Sequence, residues 1–267
     1  MLDVSASIVL FNTPKSQVEK VATCFLNTNL DTHLFLVNNG AYGDYDSIVS
    51  DKRVSYVESG RNVGYGRAHN IAMRTTVFRS EYHVVLNPDI YFADGTIENV
   101  YAFMQENVDI AQSMPHIVYP SGEMQYLCKL VPSPFDLLVR RFPFLPNIRS
   151  TRKFELRDLD YDTVCDVPYL SGCFMFLRCA ALIEAGLFDE RFFMYPEDID
   201  LTRRLHEISR TVYYPGATVV HAHARDSYRN VRMFVVHVVN IARYFNKWGW
   251  LFDPSRKRIN RRILSKV

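Results

Sequence analysis

From Ser5 to Asp89 the chain alternates apolar runs of strand length with segments of helical pattern, and this rhythm restricts its fold more than any other feature. The runs are SASIVLF, HLFLVNN, VSYVES and YHVVLNPD; a polar helix from Lys15 follows the first, and a second helix from Ala68 follows the third. The alternation predicts an α/β protein with a mostly parallel central sheet flanked by helices. Ligands of such sheets bind beyond the carboxyl ends of the strands, so those ends are where chemistry is expected.

With 267 residues and 48% hydrophobic content, the chain can bury one large core or two abutting halves. A formal net charge of +2 does not suggest a nucleic-acid partner, and none is expected. The basic excess lies late, since SRKRINRRILSKV from Ser255 onward holds no acid. The opening MLDVSASIVLFN carries an acid where a signal peptide carries lysines and runs directly into a strand pattern. No uncharged apolar run approaches the ~18 residues of a spanning helix, because Arg178 and Glu184 interrupt the best candidate. The expectation is a cytoplasmic protein. Cys24, Cys128, Cys165, Cys173 and Cys179 are odd in number and lack paired CxxC spacing, so reduced thiols are expected.

Three strands end in polar residues that a core does not need: Asn12, Asn38 with Asn39, and Asn87-Pro88-Asp89. Each alone reads as a turn former, and together they point to a ligand. Residues 115–166 show no repeat and read as a variable insert. A compact stretch follows, with a strand YLSGCFMFLR, a helix CAALIEA stopped by Gly186, a turn LFDERFF, an acidic helix and a strand TVYYPGATVVHAH.

The acidic helix, FFMYPEDIDLTRRL, has Pro196 suited to its first position and Glu197 and Asp198 in its first turn, where the helix dipole favours their ionised forms. Asp200 can pair along the surface with Arg203 or Arg204. Phe192, Phe193 and Tyr195 give the carboxylates a partly desolvated setting, which suits a general base. Asp89, just past its strand, can reach a divalent cation beside a phosphate. His221 and His223 alternate onto one strand face, and either can complete such a site. The stretch SGRNVGYGRAHN fails the G-x-G-x-x-G spacing after Gly66, so a Rossmann cofactor site is rejected. Gly64 and Gly66 would instead let backbone approach a ligand, with Asn62 and Asn70 offering amides.

These residues, in this order, resemble the inverting family 2 glycosyltransferases with the GT-A nucleotide-sugar fold, in the branch that includes bacterial rhamnosyltransferases. The resemblance runs over most of the chain. It rests on Asn12, Val37-Asn38-Asn39, Asn62-Val63-Gly64 with Asn70, Leu86-Asn87-Pro88-Asp89, Ser171-Gly172, Gly186 to Glu190, Tyr195 to Asp200, Val220-His221 and Tyr244 to Trp250. It implies one catalytic domain over 1–230, with a nucleotide-sugar half at 1–114 and an acceptor and catalytic half at 115–230, followed by a helical, basic-aromatic extension at 231–267.

The same resemblance implies that Asp89 holds Mg or Mn against the diphosphate, with His221, or failing that His223, approaching the metal. Asn12, Asn38, Asn62, Gly64 and Asn70 would line the nucleotide. Asp198 matches the catalytic base with Glu197 beside it, and Ser171 and Gly172 match a segment near sugar and acceptor. Asn38 stands where many members carry Asp, so uracil and thymine nucleotides both remain open, with dTDP-rhamnose ahead of a UDP-hexose. A non-catalytic sugar-nucleotide-binding scaffold is the other reading. The expected acceptor is a glycan or lipid-linked saccharide in bacterial surface polysaccharide synthesis. The segment ARYFNKWGWLF and the basic tail read either as a packed helix or as a peripheral contact with the inner face of the membrane.

Overall fold

A computed structural model describes residues 1–40, 45–141, 148–222 and 231–265. The chain begins with β1 (Leu2–Leu10), α1 (Lys15–Leu26), β2 (Thr32–Asn38), α2 (Asp46–Val49), β3 (Val54–Glu58), α3 (Tyr65–Thr76) and β4 (Ser80–Leu86). It continues through β5 (Ile90–Phe92), α4 (Thr96–Glu106), β6 (Ile110–Val118), β7 (Cys128–Lys129), α5 (Pro134–Arg141) and α6 (Ile148–Phe154). It closes with β8 (Cys165–Asp166), β9 (Tyr169–Leu170), β10 (Phe174–Arg178), α7 (Cys179–Ala185), α8 (Glu197–Ile208), β11 (Arg210–His221), α9 (Val231–Trp248) and α10 (Pro254–Leu264). The central sheet runs β3-β2-β1-β4-β10-β6-β11-β5, with β8 also on β11.

The first four strands of that order are parallel, as the alternation predicts. Beyond them the sheet is mixed: β10 lies antiparallel to both β4 and β6, while β11 runs parallel to β6 and antiparallel to β5. β6 runs from residue 110 to 118, across the expected join between the two halves at 114 and 115, and β8 returns part of the expected insert to the same sheet. The expected strand YLSGCFMFLR divides into β9, which pairs with β7 outside the main sheet, and β10; Ser171, Gly172 and Cys173 form the break. All five cysteines are free thiols. Among the described residues no helix is long and apolar enough to cross a membrane.

β1 is buried on both faces, which is why it reads as a continuous run. Val4, Ala6, Ile8 and Leu10 pack with Val18, Val21 and Phe25 of α1. The opposite face carries Ser5 and Ser7 into a buried polar cluster. Ser5 Oγ is 2.9 Å from His83 Nδ1, and Ser7 Oγ lies 2.8 Å from His83 Nε2 and 2.7 Å from His69 Nδ1. Burial holds His83 down at about 3, and burial together with the neighbouring His83 holds His69 well below its usual value. Both imidazoles are therefore neutral near pH 7.

The acidic helix starts one residue later than its sequence suggests. Pro196 caps it, with its carbonyl accepting the Asp200 N–H at 2.9 Å. The two arginines then separate. Arg204 pairs with Asp200 one turn back, whereas Arg203 turns inward and meets Asp253 through 2.6 and 2.8 Å hydrogen bonds, its guanidinium 3.9 Å from the centre of the Trp248 ring. Asp253 also caps α10 by accepting the Arg256 N–H at 2.9 Å. Tyr244 and Phe245 of the basic-aromatic segment are core residues.

Two measurements follow. The unfolded chain takes up histidine protons near pH 6.5, while folded His69 and His83 resist them. Stability should therefore fall as pH drops from about 6.5 toward 3, by up to about 1.4 kcal/mol per pH unit for each histidine, and urea unfolding of His83→Gln should show a shallower slope. Asp253→Ala, which leaves the buried Arg203 charge unpaired, should cost about 3–5 kcal/mol in the same assay.

Candidate active site

The sheet order places the carboxyl ends of β1, β4 and β11 near the start of β10. Two chemical groups assemble there. The first is built by the pairing of β5 with β11, which sets His221 opposite Ile90 and lets the Ala222 N–H donate to the Asp89 carbonyl at 2.9 Å. His221 Nε2 then lies 3.4 Å from Asp89 Oδ1. Gln125, buried in the segment after β6, grips His221 at two points: its Nε2 donates to the His221 carbonyl at 2.7 Å, and its Oε1 is 3.0 Å from Nδ1. Burial opposes a charge on His221, but the adjoining Cys173 and the Asp89 carboxylate outweigh it and bring its pKa up to about 10.

The second group is the start of α8. Asp198 is half-buried and accepts two backbone N–H groups, that of Gly172 on Oδ2 at 3.0 Å and that of Ile199 on Oδ1 at 2.8 Å. Glu197 beside it is buried, and its Oε2 has no hydrogen-bond partner. Burial first, and the Asp198 charge second, push Glu197 well above the usual carboxylate range. Two adjacent carboxyls thus differ in environment, one supported by amides and the other in an apolar pocket. Tyr65 joins the two groups: its hydroxyl is 2.9 Å from Asn87 Oδ1 and 2.8 Å from the Gly172 carbonyl.

α9 braces the turn that leads into α8. Asn240 Nδ2 donates to the Met194 carbonyl at 3.1 Å, and the His237 ring lies 4.5 Å from that of Tyr195. Lys247 Nζ reaches Asp189 at 2.9 Å and Asp200 at 2.7 Å, and Trp248 Nε1 donates to Asp200 at 2.8 Å. Between them Tyr195 holds φ 92°, a left-handed conformation that a bulky side chain adopts only when its surroundings impose it.

The other expected nucleotide residues divide. Asn12, at φ 51° and exposed, stands at the end of β1. Asn38 ends β2 and directs its Nδ2 to Glu58, with distances of 3.1 and 2.9 Å. Asn62 accepts the Gly64 N–H at 3.0 Å and the Asn39 amide at 3.0 Å, which shapes the loop before α3. Two expectations need correction. Asn70 is buried and spends its amide on the Phe188 backbone and Glu190, so it fixes the turn and does not line a cleft. Gly64 approaches protein, not ligand: a Cβ there would lie 2.9 Å from Phe193 Cα and would clash with the Phe193 carbonyl. His223 lies outside the described residues.

Gly172 meets the acidic helix, where a Cβ on it would come within 3.3 Å of Asp198 Cβ, and Ser171 precedes it in the break between β9 and β10. Sequence reasoning missed Tyr65, Gln125, Lys247 and Trp248, whose roles arise from contacts across 22 to 107 positions. Among the described residues no cluster of three or more His, Cys, Asp and Glu forms a metal cage. The Asp89 carboxylate fits an Mg or Mn ion that takes its remaining ligands from phosphate and water, and His221 can join it once the ion displaces the proton that His221 otherwise holds.

A model of the family described as glycosyl transferase family 2 matches residues 5–185. The chain is 27% identical over 249 residues to the N-acetylglucosaminyl-diphospho-decaprenol L-rhamnosyltransferase of Mycobacterium tuberculosis (strain CDC 1551 / Oshkosh), covering 86% of this chain and 80% of that one. It is 28% identical over 220 residues to rhamnosyltransferase WbbL of Escherichia coli (strain K12), covering 76% and 77%. Among solved structures, that of GalNAc-T7 with UDP, GalNAc and Mn2+ superposes with a TM-score of 0.63 at 13% identity, over 84% of this chain and 44% of that one. The structural likeness shows a shared GT-A type fold.

Gly64→Ala tests the docking of the acidic turn. Gly60, at φ 75° with nothing within 4 Å of a Cβ, is the control for backbone strain alone. Gly60→Ala should cost about 1 kcal/mol in chemical unfolding, and Gly64→Ala should cost clearly more because its methyl group also displaces Phe193.

Proposed function

The chain belongs to glycosyl transferase family 2 and is a glycosyltransferase of glycan biosynthesis; on that premise we propose that it moves rhamnose from dTDP-rhamnose to a hydroxyl of a lipid-linked saccharide, with inversion, at the cytoplasmic face of the membrane during surface polysaccharide assembly. The observation that carries this reading is the pairing of Asp198 and Glu197 at the start of α8, linked through Gly172 and Tyr65 to the strand end that bears Asp89. The two rhamnosyltransferase relatives support the choice of sugar, and the decaprenol named for one of them supports a lipid-linked acceptor.

In this mechanism the Asp198 carboxylate takes the proton of the acceptor hydroxyl as its oxygen attacks the anomeric carbon. The bond from that carbon to the diphosphate breaks on the opposite side, so configuration inverts and the electron pair leaves with the nucleoside diphosphate. Such base assistance accounts for roughly 10²–10⁴ in rate. The Gly172 and Ile199 N–H groups aim the carboxylate. Burial and the adjacent Asp198 charge disfavour ionisation of Glu197, which limits the negative charge gathered at this point. Asp89 and His221 would hold Mg or Mn, which when bound offsets the charge on the departing diphosphate. Gln125 fixes the His221 ring for that task. Asn12 and Asn38 lie at the strand ends where the nucleoside would rest, with Ser171 and Gly172 toward sugar and acceptor.

The test is a thermal-shift panel of dTDP-rhamnose and UDP-hexoses with Mg, Mn or chelator, followed by turnover with the donor that binds. dTDP-rhamnose should raise the midpoint in a metal-dependent way. Asp89→Ala should abolish the shift, whereas Asp198→Asn should keep it and lower kcat by about 10²–10⁴. Gln125→Ala should weaken Mn2+ binding, read by paramagnetic resonance with nucleoside diphosphate present, by about 10–100-fold. Full turnover in Asp198→Asn would overturn the mechanism, and donor binding without turnover in the unaltered protein would favour the scaffold reading.

A further inference from the structure

α9 has a second face. While Asn240, Tyr244, Lys247 and Trp248 point toward the acidic turn and the core, Val235, Val238 and Val239 are exposed on the opposite side, at the spacing that forms one stripe along a helix. The stripe continues through Asn246 to Trp250, whose Nε1 donates to Asn246 Oδ1 at 2.8 Å. Leu251 and Phe252 follow at 75% and 86% exposure, at the tip between α9 and α10. A helix face of exposed valines followed at its end by exposed Trp250, Leu251 and Phe252 concentrates apolar surface in the way that commonly marks an interaction site.

Charge identifies the occupant. Pro254, two residues past that tip, begins the exposed side of α10, and Lys257, Arg258, Arg261 and Arg262 line one open basin there. The buried side of the same helix, Arg256, Ile259 and Ile263, faces the protein. Four cations beside an apolar tip have the amphipathic character of a surface that lies in the headgroup layer: the aromatic and aliphatic tips enter the acyl boundary and the cations meet anionic lipid. A second copy of this chain would bring four cations against four.

We propose that the α9 stripe, the Trp250-Leu251-Phe252 tip and the cationic side of α10 form the docking surface for an anionic lipid bilayer. The surface deepens the lipid-linked-acceptor reading, which supplies its purpose, but it stands on exposure and charge alone. It also divides the aromatic segment between two tasks: Tyr244, Phe245 and Trp248 pack inside, Leu251 and Phe252 are exposed, and Trp250 bridges the two with its ring 5.2 Å from that of Phe245 and its remaining face in solvent.

The experiment is co-sedimentation of the full chain, without donor or acceptor, with vesicles of phosphatidylglycerol and phosphatidylethanolamine, and with neutral phosphatidylcholine vesicles as the comparison. The full chain should bind the anionic vesicles and largely fail to bind the neutral ones. L251S/F252S should lower partitioning by at least about tenfold, and R258E/R262E by more than about fivefold per residue. Thermal midpoints and turnover on a short-chain water-soluble acceptor should be unchanged in both variants. Equal binding to both vesicle types, no binding to either, or a surface covered by dimerisation in solution and released by L251S/F252S would each overturn the docking surface. Since soluble-acceptor turnover is measured separately, such a result would leave the transferase reading standing, and loss of turnover in the unaltered chain would sink that reading without touching the vesicle result.

Discussion

Asp200 is the anchor on which the catalytic end of the molecule depends. Its carboxylate is fully buried, a placement that is unfavourable unless the charge is paired and hydrogen-bonded. The chain meets that condition from two directions. Arg204, one turn along α8, donates at 2.9 Å, and Lys247 and Trp248 of α9 donate at 2.7 and 2.8 Å. A single carboxylate therefore ties the start of α8 to α9, which lies beyond β11 in the chain. The neighbouring Arg203–Asp253 pair makes the same kind of tie one turn on. With both ends held, the strained Tyr195 and the carboxyls at 197 and 198 have little freedom to relax.

The division of labour between charges follows from these positions. Asp198 has amide donors and partial access to solvent, while Glu197 is buried with no donor on Oε2, so ionisation is favoured at the first carboxyl over the second. Asp89 and His221 occupy the opposite end of the Tyr65 link, where a leaving diphosphate would need positive charge. On the proposed mechanism, this separation would put proton acceptance and the leaving diphosphate at opposite ends of the site, as direct displacement at a sugar carbon requires.

Much of this arrangement was legible in the chain. Short-range rules governed the parallel half of the sheet, because strand and helix periods differ and each run is long enough to declare itself. The acid-rich start of α8 and the polar strand ends were legible for the same reason. The antiparallel insertion of β10 and the break at Ser171-Gly172 were not, since they depend on which strands meet in space. Asn70 carries the residue type that a nucleotide pocket would use, yet only the structure shows its amide spent on Phe188 and Glu190. Composition likewise gave the aromatic C-terminal segment two readings, core and interface. Both have a place, divided at Gly249.

The central claim is that α9, through Asp200, sets the catalytic position of the α8 carboxylates. It is tested most directly by kcat and donor KM for Asp200→Asn, with circular dichroism and thermal midpoint confirming a folded chain. The amide keeps the shape of the side chain and removes the charge that Lys247 and Arg204 share. The account predicts that kcat falls by about tenfold or more, roughly 1.4 kcal/mol of transition-state stabilisation, while donor KM stays nearly unchanged. A folded Asp200→Asn protein with undiminished kcat would contradict it.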